Sequence, residues 1–216
     1  SAQVEYTVDS TPPGVTLDYP TDGIYNYNIP NINYTITDDN PSMCWYSTDN
    51  GASNSSAEAA DGSFIVNLVA GSYNIIVYCN DTYGHIGTSS TASVTVDTTA
   101  PTVNIVVPED SGNYFLELTN ISYTTNADSR CWYSLNAGSN QSYQTPGDNW
   151  TISLEDQGTH TVDVYCNDTA NNIGTDSHEF TLYGSFLVSI NNPLPYNVYR
   201  EYLLSFFFDR HTIQLQ

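Results

Sequence analysis

The sequence contains no lysine. Three arginines stand against 24 aspartates and glutamates in 216 residues, a formal net charge of −21 at pH 7. Charged residues are only 12% of the chain, so the imbalance comes from missing bases more than from surplus acids. Binding to nucleic acid or to an anionic membrane surface is excluded, because both need Lys and Arg to neutralise phosphates. Long apolar runs are lacking too. The stretch at 202–208, with one serine inside it, is far too short to cross a bilayer, so no direct membrane insertion is expected. A charged-then-apolar leader is missing from the start, and the expectation is that any secretory signal has already been removed. No stretch has the 3.6-residue period of a helix. Core material is plentiful, by contrast: 39% of residues are hydrophobic, with 18 Tyr and 7 Phe, which excludes a disordered chain.

Internal repetition sets the architecture. Ser-x-Cys-Trp-Tyr-Ser occurs at 42–47 and again at 129–134. Val-Tyr-Cys-Asn-Asp-Thr at 77–82 returns at 164–169, followed each time by three variable residues and Ile-Gly-Thr. The opening Asp9-Ser-Thr-Pro-Pro-Gly-Val matches Asp97-Thr-Thr-Ala-Pro-Thr-Val. Two tandem modules follow, at 10–96 and 97–183, with 1–9 before them and 184–216 after. Inside each module the apolar residues alternate. Tyr73, Ile75, Val77 and Cys79 form one such row, and His160, Val162, Val164 and Cys166 the other. Further strands are expected at 32–36, 64–68 and 92–96, separated by Gly, Pro, Asn and Asp clusters. The predicted fold is all-β: two tandem β-sandwiches with extra terminal strands.

Each module holds two cysteines, and the repeat selects Cys44 with Cys79 and Cys131 with Cys166, so that each module closes on itself. Metal binding is the competing reading, but no Cys-x-x-Cys or histidine partner recurs with them. Disulfides imply an oxidising, extracellular setting. Alternation places Trp45 and Trp132 on the sheet face opposite the cysteines, either covering a contact between modules or packing beneath a loop. Seven Asn-x-Ser/Thr sequons begin at Asn33, Asn54, Asn80, Asn120, Asn140, Asn149 and Asn167, and all are candidates for N-linked glycans.

The Asp-x-Thr-x-Pro opening, the Cys-Trp-Tyr-Ser strand and the Tyr-Cys-Asn-Asp-Thr hairpin resemble the tandem immunoglobulin-like modules of archaeal and bacterial surface proteins. The resemblance covers about 10–183 and implies the sandwich fold and a surface location. It departs from antibody domains, where the tryptophan lies well downstream of the first cysteine. That leaves room for a disulfide between neighbouring strands of one sheet instead of between two sheets.

Residues 2–9 align with 90–97, the last strand of module 1, so the chain is expected to open on an orphan final strand carrying Val4, Tyr6 and Val8. Val-x-Leu/Ile-x-x-Pro appears at 15–20, 103–108 and 188–193, the third copy announcing another first strand. Leu203, Leu204, Phe206, Phe207 and Phe208 stand where its second strand belongs. Three readings compete: a tail folded back on module 2, part of a longer repeat protein, or strands exchanged between subunits. Arg200 and Arg210 balance Glu201 and Asp209, so 184–216 is neutral and residues 1–183 carry the whole −21.

Enzyme motifs are absent. His85, His160, His178 and His211 lie in separate segments, and His160 occupies the repeat position of Tyr73. The pairs Asp38-Asp39, Glu109-Asp110 and Glu155-Asp156 fall in apparent turns, where carboxylates cap backbone N–H groups or are solvated. A calcium ion between the modules, held by Asp97 with Glu109 or Asp110, is the one metal site considered. No other cofactor is expected. The reading is a non-enzymatic extracellular structural protein whose partners are its own copies, joined head to tail by strand complementation. A monomeric adhesin or stalk and a carbohydrate-binding accessory module are the alternatives.

Overall fold

The computed structural model describes residues 9–141 and 143–184, all within one compact unit. The orphan-strand residues Val4, Tyr6 and Val8, and the tail residues Leu203, Leu204, Phe206, Phe207 and Phe208, lie outside the described residues.

The described chain is all-β. Module 1 comprises β1 (Gly14–Tyr19), β2 (Gly23–Tyr25), β3 (Ile29–Thr37), β4 (Pro41–Ser47), β5 (Glu58–Ala59), β6 (Ser63–Leu68), β7 (Gly71–Asp81), β8 (Ile86–Thr88) and β9 (Ala92–Val96). Module 2 comprises β10 (Val103–Val107), β11 (Gly112–Phe115), β12 (Leu118–Thr125), β13 (Arg130–Leu135), β14 (Trp150–Leu154), β15 (Gly158–Asn167) and β16 (Ile173–Tyr183). One sheet of each module has three strands, β1-β3-β6 and β10-β12-β14. The other sheets run β2-β9-β7-β4-β5, with β8 also on β7, and β11-β16-β15-β13. All pairings are antiparallel except β2 on β9 and β11 on β16.

Alternation explains why these segments fold as strands with one buried face. Along β15, His160, Val162, Val164 and Cys166 are buried while the residues between them are only partly covered. Each module fills its interior separately. One core gathers Ile29, Ile32, Phe64, Ile75, Val77 and Val94 from both sheets of module 1. The other gathers Ile105, Ile121, Trp150, Val162, Val164 and Phe180 from both sheets of module 2. Equivalent aromatic pairs bridge the three-stranded sheets: Tyr34 stacks on Phe64, and Tyr123 on Trp150.

The modules differ in their last strand. Ile86 and Ile173 are 87 residues apart, but Val94 and Phe180, which pair with the equivalent Tyr73 and His160, are 86 apart. Module 1 therefore carries one extra residue, and it is absorbed by breaking the strand into β8 and β9. At the break Ser89 is buried, donates its N–H to Val77 O and accepts Val77 N–H on its hydroxyl. In module 2, β16 runs unbroken through the corresponding place.

The repeated Ile-Gly-Thr has a steric cause. A Cβ on Gly87 would lie 1.8 Å from the carbonyl oxygen of Pro13, and one on Gly174 would lie 1.8 Å from that of Pro101. The opening proline segment crosses directly over the hairpin glycine in both modules, so the two repeated motifs are halves of one contact. Gly174→Ala must push backbone apart and is expected to cost module 2 roughly 2–4 kcal/mol. Urea unfolding followed by tryptophan fluorescence measures it. A change within 0.5 kcal/mol, the size of an ordinary surface substitution, would remove this account of the motif.

Candidate functional site

Cys44 lies directly opposite Cys79 across β4 and β7, and Cys131 opposite Cys166 across β13 and β15. Both pairs are disulfide-bonded, with Cα atoms 4.1 Å apart, the close approach of a non-hydrogen-bonded pair. Each bond joins neighbouring strands of one sheet, and all four cysteines are fully buried. The next residue pair on the opposite face is aromatic. Trp45 stacks on Tyr78 and Trp132 on Tyr165, with centroids 5.8 and 5.7 Å apart. Tyr143 meets Trp132 edge-on, and the Arg130 guanidinium sits 5.2 Å above the Tyr143 ring. Both tryptophans thus pack within their own modules, Trp132 beneath the loop that carries Tyr143.

The Asn-Asp-Thr that follows the second cysteine builds the hairpin turn. Asn80 Oδ1 accepts Met43 N–H at 2.9 Å, and Asn167 Oδ1 accepts Arg130 N–H at 3.1 Å. Asp81 is buried; its Oδ1 accepts Tyr83 and His85 N–H, and its Oδ2 lies 2.6 Å from His85 Nδ1. Burial opposes ionisation of Asp81, but the hydrogen bonds from His85 and Tyr83 outweigh it and hold the carboxyl below its ordinary range. Asp168 plays the same part in module 2, accepting both the backbone and the side-chain N–H of Asn172. Asn172 Nδ2 also donates to Asp97 O at 2.9 Å, tying the turn to the opening segment.

Asp9, Asp81 and His85 bring ligand-type atoms within 4.8 Å of one another and could hold a cation. Among the described residues no such group contains Asp97, Glu109 and Asp110. Asp110 Oδ1 accepts Glu179 N–H, and Asp22 Oδ1 accepts Ser93 N–H, so both modules pin the last strand in the same way. Both aspartates stand two residues past the proline of the repeated Val-x-Leu/Ile-x-x-Pro, Pro20 and Pro108, so the sequence signals the match and the partners on β9 and β16 give its role. An open acidic cleft of about 780 Å³ at the start of module 1 is lined by Asp9, Ile36, Asp38, Asp39 and Tyr83, among others.

The other described histidines, His160 and His178, are engaged structurally. His160 Nε2 donates to Asp156 O while its Nδ1 accepts from Asn136, and His178 Nδ1 donates to Pro108 O. The sequons separate by exposure: Asn54, Asn120, Asn140 and Asn149 are exposed, Asn33 and Asn80 half-buried, and Asn167 buried.

These features define two immunoglobulin-like β-sandwich modules in tandem. Residues 64–137 match the family Bacterial Ig-like domain (group 3). That window straddles the joint, taking β6 to β9 from module 1 and β10 to β13 from module 2. No curated protein is similar in sequence. Among solved structures, the fibronectin(III)-like modules of Clostridium thermocellum CbhA are 20% identical, with TM-score 0.48, covering 83% of this chain and 100% of theirs. A tetra-tandem repeat from the extending region of a large adhesion protein is 22% identical, with TM-score 0.33, covering 79% of this chain and 49% of its own. A 1.5-MDa bacterial ice-binding adhesin is 12% identical, with TM-score 0.38, covering 80% and 64%. Among the described residues no helix is long and apolar enough to cross a membrane.

One loop carries a measurable pH signature. Asp49 accepts the hydroxyls of Ser47 and Ser53 and the Ser53 N–H, folding the segment after β4 over the outer sheet face, where Ser47 and Ile76 are buried. The Ser53 hydroxyl and amide, then the Ser47 hydroxyl, lower the Asp49 carboxyl from 3.8 to about 2. A depressed carboxyl stabilises the fold above its unfolded value, and that stability is lost as pH falls through the folded value. Between pH 4 and 2 the urea midpoint of module 1 should therefore drop, and Asp49→Asn should flatten this limb while lowering the midpoint at pH 6. Parallel curves for the two proteins would show that Asp49 does not contribute.

Proposed function

We propose that this chain is a non-enzymatic extracellular structural protein whose copies assemble head to tail by strand complementation into a surface filament or sheath. One observation carries the reading. Each module already has its own last strand, hydrogen-bonded on both sides: β9 between β2 and β7, and β16 between β11 and β15. The last-strand place that a segment with the sequence of 2–9 would take is therefore already filled in both modules. A neighbouring copy offers a sheet edge instead, by β-augmentation.

Further features support this. Phe115, Leu116 and Tyr183 form an exposed apolar group at the far end of module 2, with Phe115 stacked on Tyr183. The equivalent positions in module 1, where the chain passes into the next module, are Asn26, Tyr27 and Asp97. The disulfides suit an oxidising exterior. The best-placed acids and histidines hold turns and strand ends, which favours a structural over a catalytic role.

Negative-stain microscopy of the secreted protein tests the proposal and is expected to show ordered polymers. Deleting 1–8 or 199–216 should abolish them while both modules keep their disulfides and their β circular dichroism. Dispersed particles alone, at any concentration up to the solubility limit, would sink the filament reading and leave a stalk or adhesin module.

A further inference from the structure

Two sequons of module 2 face each other in antiparallel register. Asn120 pairs with Thr151, and Ile121 with Trp150. Ile121 and Trp150 are buried, so alternation turns the residues flanking them outward. Asn120-Ile-Ser and Asn149-Trp-Thr thus share one outer face, each running beside the other. Asn120 and Asn149 are both exposed, but they are not equal acceptors. Asn120 lies inside β12, paired with Thr151 of β14, just past the point where the β10 pairing ends at Ser122. Asn149 precedes β14, the edge strand of the same sheet, where the chain is open to an enzyme.

We propose that Asn149 is an N-glycosylation site and that its glycan lies over the outer face of β12, excluding modification of Asn120 in the same molecule. Diagonal neighbours of a strand pair are about 7–8 Å apart, so two sugar trees rooted there would collide. In the transfer, Asn149 Nδ2 forms a bond to C1 of a sugar held on a lipid- or nucleotide-linked glycosyl phosphate. The C1–O bond to that phosphate breaks, the phosphate leaves with the electron pair, and one Nδ2 proton passes to a base. Asn167 has the same sequon chemistry but no room for it. It is 9% exposed, its Oδ1 accepts Arg130 N–H, and its Nδ2 donates to Asn171 Oδ1.

The glycan would also cover the rim of β14, an edge strand whose outward N–H and C=O groups otherwise invite pairing with other chains. In module 1 the matching face holds Asn31, Asn33 and Ser63, hydrogen-bonded to one another, and Ile65, which is 94% exposed. That edge stays open.

Glycopeptide mass spectrometry of the protein secreted by its own host decides the matter. The expected result is a glycan on Asn149 in most molecules, with Asn120 bare on those molecules and Asn167 bare throughout. Thr151→Ala, which removes the sequon and leaves Asn149 in place, should abolish the modification without lowering the urea midpoint of module 2 by more than its lost glycan explains, as judged against enzymatically deglycosylated parent. A bare Asn149, simultaneous occupancy of Asn120 and Asn149, or a glycan on Asn167 in disulfide-bonded protein would each overturn the proposal.

Discussion

The fold depends on carboxylates that find their partners in backbone N–H groups. A chain with three arginines and no lysine can neutralise few of its 24 acids by ion pairing, and among the described residues the only salt bridges pair His85 with Asp81 and His178 with Asp176. Aspartates instead cap turns and strand ends. Asp81 and Asp168 close the hairpins, Asp22 and Asp110 pin the last strands, and Asp176 takes Ile105 N–H across from β16 to β10. Hydrogen bonds to a charged group are stronger than neutral ones, and each of these removes an amide that would otherwise lack a partner. The acidic composition is therefore partly a structural device.

The disulfides act on the same elements. In each module the bond locks the register of β4 on β7 or β13 on β15, one residue before the Asn that holds the partner strand and two before the Asp that closes the turn. The turn in turn holds the glycine against the opening proline segment, Gly87 against Pro13 and Gly174 against Pro101. Cysteine, asparagine, aspartate and glycine thus recur together because they form one continuous assembly. It fixes one sheet and ties the incoming chain to it.

Much of this was legible in the sequence. Period-2 alternation located β3, β6, β7, β9 and β15 because each has one buried face, and repetition paired the cysteines without geometry. The departure from the antibody spacing of cysteine and tryptophan left room for a bond within one sheet, and the register places it there. Other features needed pairings across roughly 70 residues of sequence. The role of Asp110 is the clearest case. Its sequence neighbours carry no sign of the contact with Glu179 N–H, which only the fold brings together. Ser89 is similar: one extra residue leaves no mark in composition, yet it breaks a strand that module 2 keeps whole.

The scarcity of bases also constrains how copies can meet. Arg130 is the one Lys or Arg in residues 1–184, and it is occupied over the Tyr143 ring. Two such bodies repel each other over about a Debye length, roughly 8 Å at physiological salt. Side-by-side association of modules is therefore disfavoured over most of their surface. Backbone pairing along an edge strand and apolar contact at a module end are far less sensitive to this repulsion, because neither needs opposite charges. An anionic body with an apolar far end at Phe115, Leu116 and Tyr183 favours end-to-end over lateral contact. In the polymer proposed above, lowering the repulsion with salt should thus affect bundling much more than growth.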